Sequence, residues 1–299
     1  MDIFRRIIKG LQMRHSGRPH HLIGLTYHNM GMLDLWQGHL SEAEQHFKDA
    51  ITIRRQTLSP EHVDVVVSTT RLSMVQFALG RTNEAVQSMQ AANDMCIKEN
   101  VSKAKILNNL GVLHTHHHNY LEAVKCFTHA LQIQRKCLQG PVKRPATVFD
   151  ASVSMSNLGK LYLLKHDITT AVHVLEEALL LQTTSFRKDS NPVIRSMDDL
   201  ALAKTLGGEH KRAIQMYRGV LKSQESLYGT NDPATMVTLG VLGYLYILHQ
   251  NDEQALKCLL AVYKWQQRNL DPHHPCVQHV KDTLKKIEER IQGEVSVWI

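Results

Sequence analysis

The chain has 299 residues, of which 43% are hydrophobic and 21% charged, and its formal net charge at pH 7 is +7. This composition provides enough apolar material for a buried core and excludes a disordered or fibrous chain. The longest apolar run, residues 239–248, is far shorter than the roughly 20 residues that a membrane-spanning helix needs.

Five cysteines are scattered through the chain, and no two of them form a CxxC pair. An odd number of cysteines without paired spacing predicts neither a disulfide framework nor a zinc site. We therefore expect a reducing compartment and a cytoplasmic location.

Residues 1–19 form a basic segment with five arginine or lysine side chains and one aspartate, which supply +4 of the net charge. The remaining chain is close to balanced, so no stripe of charge that would follow a nucleic-acid backbone is predicted. The apolar residues expected to share one helical face are Ile3, Phe4, Ile7, Ile8 and Leu11. We interpret the segment as a basic amphipathic half-repeat. Arginine-rich, acid-poor ends are also typical of transit peptides, and that alternative stays open.

A repeating frame occupies residues 20–274. In each copy a small residue is followed twelve positions later by alanine, then by a large apolar residue, and then by a second small or aliphatic residue. The six alanines at the twelve-residue step are Ala43, Ala85, Ala123, Ala171, Ala213 and Ala255. Their spacings of 42, 38, 48, 42 and 42 residues indicate six registered copies.

Each copy predicts two helices. The first helix is expected to end near Gly38, Gly80, His118, His166, Gly208 or Gln250. The second helix places its two small residues and the large residue between them on one face, which lets two helices approach closely. The small residues on the first helix, at this crossing, are Gly31, Ser73, Gly111, Gly159, Ala201 and Gly243. Glycine inside a helix costs up to about 1 kcal/mol, so its recurrence indicates close backbone contact.

This pattern resembles the tetratricopeptide repeat. The 42-residue period and the loops SPEHVDV (59–65), GTNDPAT (229–235) and DPHHPCV (271–277) resemble the kinesin-light-chain and nephrocystin-3 type. The resemblance implies an all-α fold, a right-handed α-solenoid of about six helix pairs with a concave inner surface.

Residues 275–299 follow the repeats and predict a C-terminal capping helix and tail. The apolar residues of its stripe are Val277, Val280, Leu284, Ile287 and Ile291, and its other face is rich in lysine and glutamate. A short dimerising coiled coil is the alternative interpretation of this stripe.

The resemblance implies that the first helices line a groove that binds a partner. Two residues before four of the crossings stand Asn29, Arg71, Asn109 and Asn157. Asparagine is a poor helix-interior residue, so local propensity does not explain this recurrence. Its amide both donates and accepts hydrogen bonds, which suits an extended peptide backbone. The alternative is that these asparagines bond neighbouring repeats to each other.

Basic residues lie one turn from this row, at Lys105, Lys160 and Arg195. Lys105 with Asn109 has the spacing of half of the carboxylate clamp found in tetratricopeptide domains, so an acidic ligand is expected. The complete predicted groove set is Asn29, Arg71, Lys105, Asn109, Asn157, Lys160 and Arg195. Apolar neighbours are expected towards the ends of the groove, at Trp36, Met74, Phe77 and Tyr244.

A histidine cluster lies at the predicted end of the third repeat's first helix. His114 and His118, four residues apart, could share a metal ion, but no glutamate or cysteine completes a site. The sequence also contains no P-loop, GxSxG, HExxH or glycine-rich dinucleotide motif. We therefore predict no metal, no cofactor, no enzymatic activity, no nucleic-acid partner and no membrane insertion.

The predicted function is that of an adaptor, which binds an extended, acidic segment of a partner protein in its concave groove. The alternative is a structural scaffold that joins a larger assembly through its convex face or its ends. The loop 139–149, which accounts for the 48-residue step, is expected to be a surface loop or a basic docking element.

Overall fold

Fourteen helices and no strands make up the described residues, 1–140 and 144–297, of this computed structural model. In chain order the helices are α1 (Asp2–Arg14), α2 (His21–Gln37), α3 (Leu40–Thr57), α4 (Val63–Ala78), α5 (Thr82–Met95), α6 (Val101–His116), α7 (Tyr120–Leu138), α8 (Pro145–Leu164), α9 (Ile168–Thr183), α10 (Asn191–Leu206), α11 (His210–Tyr228), α12 (Pro233–Leu248), α13 (Asp252–Asn269) and α14 (Pro275–Val297). Residues 141–143 of the predicted loop and 298–299 of the predicted tail lie outside the described residues.

The chain forms two compact units, Met1–Leu161 and Tyr162–Ile299. In the first unit α2 packs on α3, α4 on α5 and α6 on α7, and in the second α10 packs on α11 and α12 on α13. Successive pairs also contact the next helix along the chain: α3 packs on α4, α5 on α6, α11 on α12 and α13 on α14. This serial packing confirms the predicted all-α solenoid, whose handedness stays a prediction. No helix in the described part of the chain has both the length and the apolar character needed to span a bilayer.

The predicted crossing residues are in close contact within the helix pairs. A methyl group built at Gly111 would lie 2.7 Å from Phe127 Cε1, and one at Gly243 would lie 2.7 Å from Leu259 Cγ. The large side chains at these crossings are fully buried. Ser73 replaces glycine at the second crossing, and its Oγ donates to Ala85 O at 2.6 Å. The small residue is therefore required by a large neighbour that fills the space above it.

The six predicted ends of the first helices all contain a residue with a left-handed backbone. Gly38, Gly80 and Gly208 adopt φ values of 77° to 80° at three of them. The other three use His118, His166 and Gln250, with φ values of 56° to 59°. A side chain in this region costs roughly 1–2 kcal/mol relative to glycine. His118 is thus a turn residue in the histidine cluster.

Helix α1 packs on α2 through one edge. Ile8 is buried against Ile23 and Met30 of α2, and Phe4 and Leu11 lie beside it. The single apolar face predicted for this helix is wrong at two other positions, since Ile3 is 74% exposed and Ile7 42%. The reason is angular: α2 covers the border of the apolar face that carries Ile8, and Ile7 and Ile3 lie about 100° and about 140° from Ile8 around the helix axis.

Helix α14 packs on α13. Its residues Val280, Leu284 and Ile287 form a buried cluster with Ala255 and Leu259 of α13. The stripe predicted for residues 275–299 is therefore covered by the preceding helix at these positions.

Two glycines of α12 test the crossing. We expect Gly243→Ala to destabilise the second unit by about 1–3 kcal/mol, because the new methyl group collides with the buried Leu259 side chain. Gly240→Ala should be neutral or stabilising, since its methyl group would lie 3.9 Å from Val262 and alanine favours a helix. Urea unfolding of both variants provides the measurement. Equal stabilities would contradict the role given to the crossing.

Candidate peptide-binding groove

The first unit contains an open cavity of about 740 Å³. Its walls come from α4, α6 and the first half of α8, together with the connection between α5 and α6. Ligand sites in proteins commonly have volumes of roughly 300–1,000 Å³. The cavity is therefore large enough to receive several residues of a bound chain.

Two irregular steps of the repeat explain the position of the cavity. The 38-residue step shortens α5 to 14 residues, whereas α3 has 18 and α7 has 19. About one turn of the wall is therefore missing, and Met95–Lys98 line the cavity in its place. The 48-residue step accompanies a lengthened α8, which has 20 residues where α4 and α6 have 16. Phe149 and Asp150 of α8 line the cavity on this side.

The same place lacks a polar contact that occurs elsewhere between neighbouring repeats. Arg54 Nη1 of α3 donates to Ser68 Oγ of α4 at 2.5 Å, and Gln134 Nε2 of α7 donates to Ser154 Oγ of α8 at 3.1 Å. The equivalent positions between α5 and α6 are Cys96 and Ile106, which cannot form such a bond. The wall at the shortened repeat is consequently apolar.

Large apolar side chains are exposed along the cavity. Val67 and Met74 of α4 are each 40% exposed, Phe149 of α8 is 38% exposed, and Ile97 of the α5–α6 connection is 74% exposed. Exposed apolar groups that line one concavity favour burial against a ligand. Apolar residues therefore line the cavity together with polar ones.

Three of the predicted groove residues, Arg71, Lys105 and Asn109, line this cavity. Arg71 Nη1 contacts only Met74 Sδ at 3.6 Å, and in the described parts of the chain no carboxylate pairs with it. The Asn109 side chain likewise has no hydrogen-bond partner among the residues described. Lys105 differs, because its Nζ lies 3.1 Å from Asp150 Oδ2.

The other four predicted residues lie outside the cavity lining. Asn157 Nδ2 of α8 donates to Asn108 Oδ1 of α6 at 3.1 Å, a bond between neighbouring repeats. Asn29 of α2 and Lys160 of α8 are exposed. Arg195 is exposed on α10 in the second unit.

The four apolar residues predicted at the groove ends lie in different environments. Met74 lines the cavity, and Trp36 is 85% exposed on α2. Phe77 packs against the core between α4, α5 and α6, and Tyr244 packs against the core around α13 and α14. Sequence reasoning missed Ile97, Phe149 and Asp150 as lining residues. The signal that could have found them was the pair of irregular repeat steps.

A buried polar cluster joins α2, α3 and α4 in the same unit. His28 Nδ1 lies 3.1 Å from Ser68 Oγ, which also accepts the bond from Arg54. Burial is the main reason that the pKa of His28 is lowered to about 4; the charges of Arg54 and Arg71 act in the same direction, and Asp64 opposes them. His28 is therefore neutral at pH 7, as its position beside a buried cation requires.

No group of three histidine, cysteine, aspartate or glutamate side chains that could hold a metal ion is found in the described part of the chain, the histidine cluster included. His114 is partly buried, and that burial lowers its pKa. His116 packs on Phe77 with ring centroids 4.9 Å apart, and His118 Nδ1 lies 3.1 Å from the Tyr120 hydroxyl. These histidines therefore make packing and hydrogen-bond contacts where α6 ends and α7 begins.

Comparison with known protein families agrees with the repeat pattern of the sequence. One tetratricopeptide repeat model matches residues 22–98, and a second matches residues 104–138 and 193–234. Together these matches span just over half of the chain. A search of curated proteins finds no match.

Solved structures share the fold at low sequence identity. Nearly identical TPR-like repeats of the kinesin-light-chain type from Podosopora anserina are 20% identical, cover 71% of this chain and 99% of their own, and give a TM-score of 0.60. PilF of Pseudomonas aeruginosa is 17% identical; the match covers 87% of this chain and 97% of PilF, and its TM-score is 0.59. The APC/C hetero-tetramer Cut9-Hcn1 gives 0.61 at 17% identity, over 96% of this chain and 46% of that one. The kinesin-light-chain repeat type itself stays a prediction.

The depressed pKa of His28 predicts a loss of stability in acid. Between about pH 6.5 and pH 4 the unfolded His28 binds a proton that the folded protein excludes, so the free energy of unfolding falls as the pH falls. We expect His28→Gln to remove about 1 kcal/mol of the loss between pH 7 and pH 5, after allowance for solvent screening. Urea unfolding at both pH values measures it, and an unchanged pH dependence would contradict the assignment.

Proposed function

The chain belongs to the tetratricopeptide repeat family, a family of protein-interaction modules, and on that premise we propose that its first unit binds an extended, acidic segment of a partner protein in the groove. The groove consists of the cavity between α4, α6 and α8. Binding requires no chemistry on the ligand, so the protein acts as an adaptor. A cytoplasmic location and the lack of enzymatic activity stay predictions.

The observation that carries this proposal is the combination of unpaired polar groups with an apolar wall in one cavity. Within the described residues, Arg71 lines it without a carboxylate partner, and Asn109 lines it without a hydrogen-bond partner for its side chain. Exposed Met74 and Phe149 line the same space. A partner that covers these side chains gains from apolar burial, at about 25 cal/mol per Å².

Each polar group suits a different part of a peptide. The Asn109 amide can accept from a backbone N–H and donate to a backbone carbonyl, which holds an extended chain without reading its sequence. The Arg71 guanidinium favours a carboxylate, because it offers a planar set of donors. The other charged lining residues are Lys98 and Lys105 against Glu61 and Asp150. The cavity therefore has one excess positive charge, which is consistent with an acidic ligand.

The exposed residues beyond the cavity extend the proposal. Asn29 on α2 and Lys160 on α8 belong to the same unit, and a longer ligand would reach further along the first helices. Arg195 belongs to the second unit, so it would bind a ligand through a contact separate from the cavity. Asn157 is proposed to have a structural role, through its bond to Asn108, and no contact with the ligand.

A matched pair of peptides tests the groove. A peptide array on the full chain should select an extended binder with apolar residues and aspartate or glutamate, and its Asn/Gln-substituted copy is the neutral reference. We expect Asn109→Ala to weaken both peptides by about 1 kcal/mol, the net value of a hydrogen bond. Arg71→Gln should weaken only the acidic peptide and flatten its salt dependence. Fluorescence anisotropy measures the four affinities.

The Lys105–Asp150 pair provides a test with the opposite sign. Asp150→Asn should strengthen binding of the acidic peptide by up to ~1 kcal/mol, because it releases the Lys105 ammonium and removes a negative charge from the cavity. Lys105→Gln should weaken that peptide, since it leaves Asp150 unpaired. Unchanged affinity in both variants would place the ligand elsewhere.

The scaffold alternative makes a different prediction for the asparagines. Asn157→Ala is the matched control for Asn109→Ala, because it removes the same amide from a bond between repeats. It should lower the thermal stability and leave peptide affinity unchanged. If Asn109→Ala behaves in the same way, the asparagine row is structural and the scaffold function is favoured.

A further inference from the structure

Helix α1 has an outer edge that the fold leaves exposed. Ile3 and Met13 are 74% and 70% exposed, and Ile7 is 42% exposed. Ile3, Arg6, Gly10 and Met13 follow one another at helical spacings of three and four residues, so they lie along one side of the helix. A methyl group built at Gly10 would have no neighbour within 4 Å, which shows that this side is open.

The same helix is strongly basic. Arg5 lies 3.7 Å from Asp2, the one acidic residue in the segment 1–19. Arg6, Lys9 and Arg14 of the helix, and Arg18 after it, are exposed and have no carboxylate partner in the described residues. This uncompensated charge does not contribute to packing on α2, which uses Phe4, Ile8 and Leu11.

We propose that α1 binds the surface of an anionic lipid bilayer and lies flat in the interface. Ile3 and Met13 would enter the boundary between headgroups and acyl chains, where a shallow apolar edge is sufficient. Arg6, Lys9 and Arg14 would contact lipid phosphates and carboxylates. The helix stays packed on α2 through its inner edge, so no part of the repeat array needs to unfold. This surface is independent of the groove and adds a second binding partner to the adaptor.

The exposed apolar residues favour a lipid surface over a nucleic acid. A phosphate backbone in water attracts the cations equally well, but it gives Ile3, Ile7 and Met13 nothing to bury them. A bilayer satisfies both features of the helix at once. The two classes of partner therefore differ in how strongly binding depends on the apolar side chains.

Vesicle sedimentation with the full chain tests the proposal. The protein should sediment with vesicles of phosphatidylcholine and phosphatidylserine and remain in solution with phosphatidylcholine alone. We expect the double variant Arg6→Glu/Lys9→Glu to weaken binding about tenfold or more, because each cation near the surface contributes and each reversal adds repulsion. Ile3→Ser/Met13→Ser should also weaken it several-fold at unchanged charge.

The matched control is Lys281→Glu/Lys286→Glu, which makes the same charge change on two exposed positions of α14 that, like Arg6 and Lys9, have no carboxylate partner in the described residues. It should retain near wild-type binding, and all variants should keep the wild-type melting temperature. Equal losses in the control and in Arg6→Glu/Lys9→Glu would overturn the proposal, as would binding that ignores phosphatidylserine. Binding to a DNA duplex that is insensitive to Ile3→Ser/Met13→Ser would assign the surface to nucleic acid instead. Peptide binding in the groove should be unchanged throughout, so the two proposals fail separately.

Discussion

The close crossing of two helices within each pair is the contact on which the rest of the structure depends. Phe127 fills the space above Gly111, and Leu259 does the same above Gly243. Because a methyl group has no room there, the two backbones are held at a fixed separation. The first helix of the pair then has one side committed to its partner and another free for the next repeat or for a ligand.

The candidate site lies where the regular stacking changes. The shortened α5 removes a turn of wall, and Cys96 and Ile106 replace the polar pair seen as Arg54–Ser68 in the preceding repeat. A regular array would fill this space with the end of a second helix. An irregular one leaves apolar side chains exposed beside unpaired polar groups, which is the usual composition of a ligand site.

The charge that the groove offers to a ligand depends on ion pairs within the groove as well as on the number of its cations. Lys105 and Arg71 both line the cavity, but Lys105 lies 3.1 Å from a carboxylate of α8, whereas Arg71 has no carboxylate partner among the residues that the structure describes. An acidic ligand must compete with Asp150 for Lys105, whereas Arg71 is available to it directly. Selectivity between ligands is therefore expected to depend mainly on one arginine and on the apolar wall.

The sequence by itself determined the repeat frame, the helix ends and the small residues at the crossings. Each of these depends on neighbours within one or two turns, so the periodicity encodes it directly. Only the tertiary structure decided that Asn157 bonds Asn108, that Asp150 pairs with Lys105, and that Ile3 is exposed. The first two join residues more than forty positions apart, and the third depends on which edge of α1 contacts α2. Such contacts follow from the lengths of the intervening steps and from how neighbouring repeats stack, which no local pattern contains.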